Sequence, residues 1–348
     1  MLFLLLTLVA PVAIGFLVYD FVTEDDDDSE QSSEDALATP EFGASSISAP
    51  GIIGTQGDDT LVGTKFPDKI DGGDGNDTID GFSSADILLG GAGEDTIEGR
   101  GGNDTIRGEQ NADRLFGNFG SDLIFGDGGA DFIDGGNDSD RIFGGDNADE
   151  ILGGQGYDEL FGEAGNDIID GGRGYDFVDG GAGADIVSGG KGLDVVIGGQ
   201  GADTINGGNA DDLLVSGELN LVDPTKYTNN DTETSDEAVG GIGNDTIWIG
   251  RGDIATGNNG GDEFILSDQI DVGEGGALIT DFDFDEGDRL VIQYDPSKYA
   301  GIPIVQFSTT ELSQVVQVSL DGDEIALLEK AGLGALGSTD DVQLLPLG

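Results

Sequence analysis

Residues 72–80 read GGDGNDTID and residues 153–161 read GGQGYDELF, and this nine-residue pattern runs without insertion from Gly54 to Val215, in eighteen consecutive blocks. Position one is Gly and position six is Asp in every block, and position eight is always Ile, Leu or Val. Position four is Gly in twelve blocks; Phe66, Ser84, Asn111, Asp138, Asn147 and Ala210 are the exceptions. A fixed period of this length marks a stack of repeats, each unable to bury its apolar face alone. Glycines at positions one, two and four are expected to supply positive φ in a tight turn, where Asn and Asp are the usual substitutes and Phe66, Ser84 and Ala210 are poorer ones. Positions seven to nine, such as Thr78-Ile79-Asp80, read as a short strand whose central aliphatic points to one face.

Stacking the blocks lines up a narrow aliphatic core from Leu61 and Ile70 through to Ile205 and Leu214. At ~25 cal/mol per Å2 this core hardly offsets an ordering cost of ~1–2 kcal/mol per residue, so a further source of stability is required. The invariant Asp supplies it. Strands ~4.8 Å apart bring the carboxylates of successive turns together, and that repulsion calls for a cation. Carboxylate and carbonyl oxygens crowded in a Gly-rich turn suit Ca2+, whereas Mg2+ demands a small octahedral cage and keeps its waters. Turn chemistry alone would accept Asn or Ser somewhere in eighteen trials.

With these features the chain resembles the RTX (repeats-in-toxin) hemolysin-type calcium-binding proteins, whose nonapeptide is GGxGxDxUx. The resemblance implies an all-β fold, a right-handed parallel β-roll with two nonapeptides per turn and Ca2+ held between successive turns by the motif Asp and backbone carbonyls. Carried over residue by residue, the implied ligands are Asp59, Asp68, Asp77, Asp86, Asp95, Asp104, Asp113, Asp122, Asp131, Asp140, Asp149, Asp158, Asp167, Asp176, Asp185, Asp194, Asp203 and Asp212. The end sites, and those on the Phe66, Ser84 and Ala210 loops, depart furthest from the pattern. With two blocks per turn, Phe125, Phe143 and Phe161 fall in one column and are expected to stack, either simply bracing the sheet or offering a surface to the C-terminal region or a protein partner.

The flanks read differently. Met1 to Tyr19 carries no charged side chain and, at about 1.5 Å per residue in a helix, is long enough to cross a bilayer core. Residues 1–22 are expected to be a membrane anchor or signal segment, or else to fold onto the domain. No Lys or Arg precedes Lys65, so the basic start of a cleaved signal peptide is missing. Residues 23–50 form an acidic linker, 51–215 the roll, and 216–239 an acidic insert containing Pro224 and Asn229-Asn230-Asp231. Residues 240–265 hold a second short cluster in which Asp245 and Asp262 are further candidate ligands. Residues 266–348 alternate β-branched and polar residues, as in Arg289–Tyr294 and Gln314–Leu320, and read as antiparallel strands with turns at Asp285–Asp288 and Asp321–Asp323. Ile279-Thr280-Asp281-Phe282 and Gly287-Asp288-Arg289-Leu290 are similar to the RTX C-terminal flank, implying a capping domain or a type I secretion signal.

Composition narrows the function. Lys and Arg number 13 against 71 Asp and Glu, a net of −58, which argues against nucleic acid. With no His and no Cys, His-based acid/base pairs, thiolate zinc sites, cysteine nucleophiles and disulfides are absent. Thr occupies position seven in only five blocks, too few for an ice-binding ladder. Two readings follow: a noncatalytic extracellular Ca2+-binding module of structural or adhesive type, secreted or surface-tethered; or the calcium-binding C-terminal portion of a type I secreted enzyme or toxin. These 348 residues leave no separate stretch for a catalytic domain, so no enzymatic activity is expected.

Overall fold

The computed structural model describes residues 51–219, 227–228, 235–250, 252–267, 276–283, 287–294, 303, 305–309, 315–320, 323–329 and 342–346. The hydrophobic segment and acidic linker expected over residues 1–50, and most of the expected insert, lie outside them. Among the described residues there is no helix, and so none long and apolar enough to cross a membrane.

The chain winds into a parallel β-solenoid of about 11 turns. Each turn adds one strand to a sheet of 14 strands and one to a facing sheet of 15. Register follows from the repeat: Ile106 sits beside Ile124 and Ile142 beside Leu160, always two blocks on. Position eight therefore points into the space between the sheets, where Ile70 through Leu214 are buried and Leu61, on the first turn, is partly so.

The strands are longer than positions seven to nine. Arg141–Asp146, RIFGGD, is a representative strand; it continues through the first three positions of the next block, with Ile142 and Gly144 both facing inward. That continuation gives the glycines two separate duties. From the third block on, position two adopts left-handed backbone, and position four does so in most blocks, as at Gly190 (φ 100°) and Gly192 (φ 140°); even Ser84 (83°), Glu163 (70°) and Ala210 (90°) are held there by the stack. Position one does not adopt positive φ, contrary to the reading from turn chemistry. It is Gly because of close approach: a Cβ on Gly171 would lie 2.7 Å from the Gly189 carbonyl oxygen and 2.9 Å from Asp176 Oδ2.

Beyond Val215 the stack continues through longer excursions. The short antiparallel pair Glu218–Leu219 and Tyr227–Thr228 interrupts it, and Glu237–Ile242 then docks on Thr204–Asn209 in register. The solenoid thus resumes at residues 236–239, which carry no Gly, before the recognisable block at 240. Arg289–Tyr294, expected as antiparallel, pairs in parallel with Glu263–Ser267 and with Val342–Pro346. The apolar core simply propagates through Phe264 and Leu290. The expected antiparallel pairing holds for Val315–Leu320, which lies between Val305–Thr309 and Asp323–Glu329. On the outer face, Phe125, Phe143 and Phe161 stack at 5.1 and 5.0 Å between ring centroids, with the Arg107 and Arg141 guanidiniums over the rings. Such contacts stabilise a sheet by about 0.5–1.5 kcal/mol each.

Gly153→Ala should destabilise the folded roll by about 1–3 kcal/mol, since its Cβ would lie 2.6 Å from the Gly171 carbonyl oxygen. Gly101→Ala, at position three with nothing within 4 Å, should instead be neutral or stabilising by up to about 1 kcal/mol. Thermal unfolding of the two variants in Ca2+ checks the contrast.

Candidate metal centre

The position-six aspartates form one continuous hydrogen-bonded ladder on each side of the roll. Asp158 is representative. Its N–H donates to Asp176 Oδ1 at 2.9 Å, its own Oδ1 accepts the Asp140 N–H at 2.9 Å, and its carbonyl accepts the Phe177 N–H at 2.8 Å. The carboxylate is 1% exposed, tucked into the space left by the missing side chain of Gly153. The same bond links each Asp to its counterpart one turn on, from Asp59 to Asp288. Successive carboxylates are thus separated by a backbone amide, which meets part of the repulsion foreseen from their spacing.

Only one oxygen of each carboxylate is satisfied in this way. The Oδ2 atoms of every ladder Asp from Asp77 to Asp194, and of Asp212 and Asp245, are buried with no hydrogen-bond partner. Leaving a buried charged acceptor unmet costs more than the ~1–3 kcal/mol of a neutral one. Asn would accept the ladder amide equally well through its own Oδ1, so the ladder bond does not explain the choice of Asp. A cation at Oδ2 would explain it wherever that oxygen is without a donor. Backbone oxygens lie in the same inter-turn gap. Between the loops 171–176 and 189–194 the carbonyls of Gly172 and Gly189, like Asp176 Oδ2, press against glycines of the two loops. No three acidic side chains converge among the described residues, so a cation held here takes most of its shell from these carbonyls. An all-oxygen set dominated by neutral carbonyls fits Ca2+, which accepts six to eight oxygens at about 2.3–2.6 Å in flexible geometry.

Burial without a counter-ion shows in the proton affinities. Desolvation pushes the Asp140 and Asp212 carboxyls up to about 8, those of Asp86, Asp113, Asp122, Asp149, Asp176 and Asp194 to about 7, and those of Asp104, Asp158 and Asp245 to about 6. The ladder N–H pulls each the other way, and neighbouring carboxylates in most of them add to the rise.

Every candidate ligand from Asp77 to Asp212, with Asp245 and Asp262, lies buried in the ladder; Asp68 is buried at its start and Asp59 half-buried. Loops lacking Gly at position four do not disturb this, for Asp86 after Ser84 is 2% exposed and Asp212 after Ala210 is 3% exposed. The structure adds three members that the glycine pattern misses. Asp203 donates its N–H to Asp236, Asp236 to Asp253, and Asp262 to Asp288. Their blocks have lost or displaced the glycines. The surviving signal is an Asp followed two residues later by a buried apolar residue, as in Asp236-Glu237-Ala238, Asp253-Ile254-Ala255 and Asp288-Arg289-Leu290.

The family model of the RTX calcium-binding nonapeptide repeat (4 copies) matches residues 53–81, 80–115, 107–142, 143–178 and 179–214. Residues 53–214 are RTX repeats. No curated protein matches the chain. RTX repeats imply Ca2+ binding, and the orphaned Oδ2 atoms show where this chain's own residues are suited to it. In RTX terms the position-six Asp and the loop carbonyls would hold the ions. When bound, Ca2+ supplies the positive charge that the buried carboxylates lack.

Asp158→Asn keeps the ladder acceptor and removes the orphan. It should cost the Ca2+-loaded roll about 2.7 kcal/mol when Ca2+ is a hundredfold above the site's Kd, measured by thermal or denaturant unfolding. In chelator the pH dependence has a defined sign. Carboxyls whose ordinary value is 3.8 and whose folded values are about 6 to 8 bind more protons folded than unfolded. Their contribution to stability is therefore fully present below about pH 4 and lost as pH rises through about 6 to 8. Strand circular dichroism in chelator should accordingly grow on acidification from about pH 8 to pH 5.

Proposed function

We propose that the chain is a noncatalytic, extracellular Ca2+-binding module whose roll folds when Ca2+ is bound. The single observation that carries this reading is the buried, unpartnered Oδ2 repeated turn after turn. In the unfolded chain these carboxylates are hydrated and Ca2+ sites do not exist. Binding to the folded state alone therefore adds to folding free energy. At the low Ca2+ of a cytoplasm, carboxylate repulsion and the entropy of 64 glycines hold the roll open. At the millimolar Ca2+ typical of weak extracellular sites it closes.

Secretion or surface display is consistent with this dependence, because the passenger would fold only after leaving the cell. The expected anchor over residues 1–22 would make the module a tethered one, and the RTX-like flank near residues 279–290 would serve type I export. A structural or adhesive role suits a rigid rod that offers broad sheet faces, and the absence of His and Cys supports a role without catalysis.

Circular dichroism of the full chain during Ca2+ titration tests the proposal. Strand signal should appear cooperatively on adding Ca2+ and respond far less to Mg2+. A strand signal already complete in chelator at neutral pH would overturn the folding switch, and an equal Mg2+ response would overturn the selectivity.

A further inference from the structure

The ladder is not uniform, and its exceptions lie at its ends. At the first turn the oxygen that is orphaned elsewhere already has two donors. Asp59 Oδ2 accepts the Thr55 N–H at 2.6 Å and the Thr55 hydroxyl at 2.8 Å. Asp68 Oδ2 accepts the Thr64 N–H at 2.6 Å and the Thr64 hydroxyl at 2.9 Å. Each hydroxyl also accepts a backbone amide, that of Gly57 at 3.3 Å or of Phe66 at 3.2 Å, and of its two acceptors the charged carboxylate is nearer than the carbonyl of Gly57 at 3.3 Å or of Phe66 at 3.5 Å. The local backbone differs to match. Thr55 and Thr64 occupy position two but, unlike Phe82, Arg100 or Glu163 at the same position, do not adopt positive φ, and so their N–H groups turn onto the carboxylate. Protein donors also close two later members: Asp253 Oδ2 accepts the Gly250 N–H at 2.6 Å and the Ser216 hydroxyl at 2.7 Å, and Asp288 Oδ2 accepts the Asp283 N–H at 2.7 Å.

We propose that Asp59 and Asp68 are not calcium ligands, and that threonine donors close the cation array at its N-terminal end as Ser216, Gly250 and Asp283 close it toward the C-terminus. This rests on the Ca2+-binding reading of the ladder between them. The chemistry is competitive. N–H and O–H donors present their positive ends to Oδ2, so a cation there would face those hydrogens and would have to displace two charge-assisted hydrogen bonds to each carboxylate. A side chain that satisfies the carboxylate internally lets the terminal turn close without an ion. The nonapeptide pattern alone assigns the first two aspartates as ligands; the threonines at position two overrule it.

Counting bound ions by native mass spectrometry on the full Ca2+-saturated chain tests this. Wild type that binds no Ca2+ would defeat the underlying reading of the ladder, separately from the closure. If wild type binds ions, Asp59→Asn/Asp68→Asn should hold the same number, while Asp158→Asn/Asp167→Asn should hold fewer. Two ions fewer in Asp59→Asn/Asp68→Asn would overturn the proposal. Should circular dichroism show that variant misfolded, Thr55→Gly/Thr64→Gly, which restores the common GG opening, decides. It should bind two ions more than wild type, and an unchanged count would overturn the closure.

Discussion

A carboxylate with one oxygen bonded to a backbone amide and the other buried without a partner is the constraint on which the rest of this molecule depends. The first oxygen sets the stacking: each turn can add only where its Asp accepts the amide of the turn before, which locks the register of both sheets. The second oxygen sets the condition for stability, since a buried charge is tolerated only when neutralised. Assembly and cation requirement thus reside in a single side chain repeated along the roll.

The glycines follow from the same carboxylate. Position one is buried beside the ladder and must lack a side chain because the Asp five residues later and the carbonyl of the next turn occupy that space. Positions two and four turn the backbone so that their carbonyls crowd the gap between loops. The aliphatic column from Ile70 to Leu214 supplies cohesion, but one such residue per block cannot by itself balance the ordering of nine. Solenoids of this kind are held by nearest-neighbour interfaces, and here the interface is largely polar.

Electrostatics links the fold to its surroundings. The net charge of −58 belongs to the metal-free chain. Each Ca2+ contributes two positive charges at a site where carboxyls otherwise hold protons well above their normal range. On the proposed reading, protons and Ca2+ would compete for the same oxygens, and either would relieve the buried charge. Surface ion pairs such as Arg141 with Glu159 are exposed and contribute little by comparison.

A period of nine with Gly, Asp and an aliphatic at set positions was enough to foretell stacked strands, the inward column and the convergence of Asp carboxylates from successive turns, because each is a local consequence of spacing; the parallel course was implied by the RTX resemblance. With the two blocks per turn that the RTX resemblance implies, the sequence also placed the Phe125, Phe143 and Phe161 column, since position nine of alternate blocks then falls together. Other features depended on residues far apart in the chain. Asp236, Asp253 and Asp288 are ladder members through bonds spanning 33, 17 and 26 residues, and no glycine pattern marks them. Close approach rather than positive φ at position one, the parallel course of Arg289–Tyr294 and the threonine donors on Asp59 and Asp68 were likewise decided by the tertiary structure. The physical reason is common to all of them: a nonapeptide specifies its own turn, but which oxygen remains without a donor depends on what the neighbouring turn and the ends of the stack bring against it.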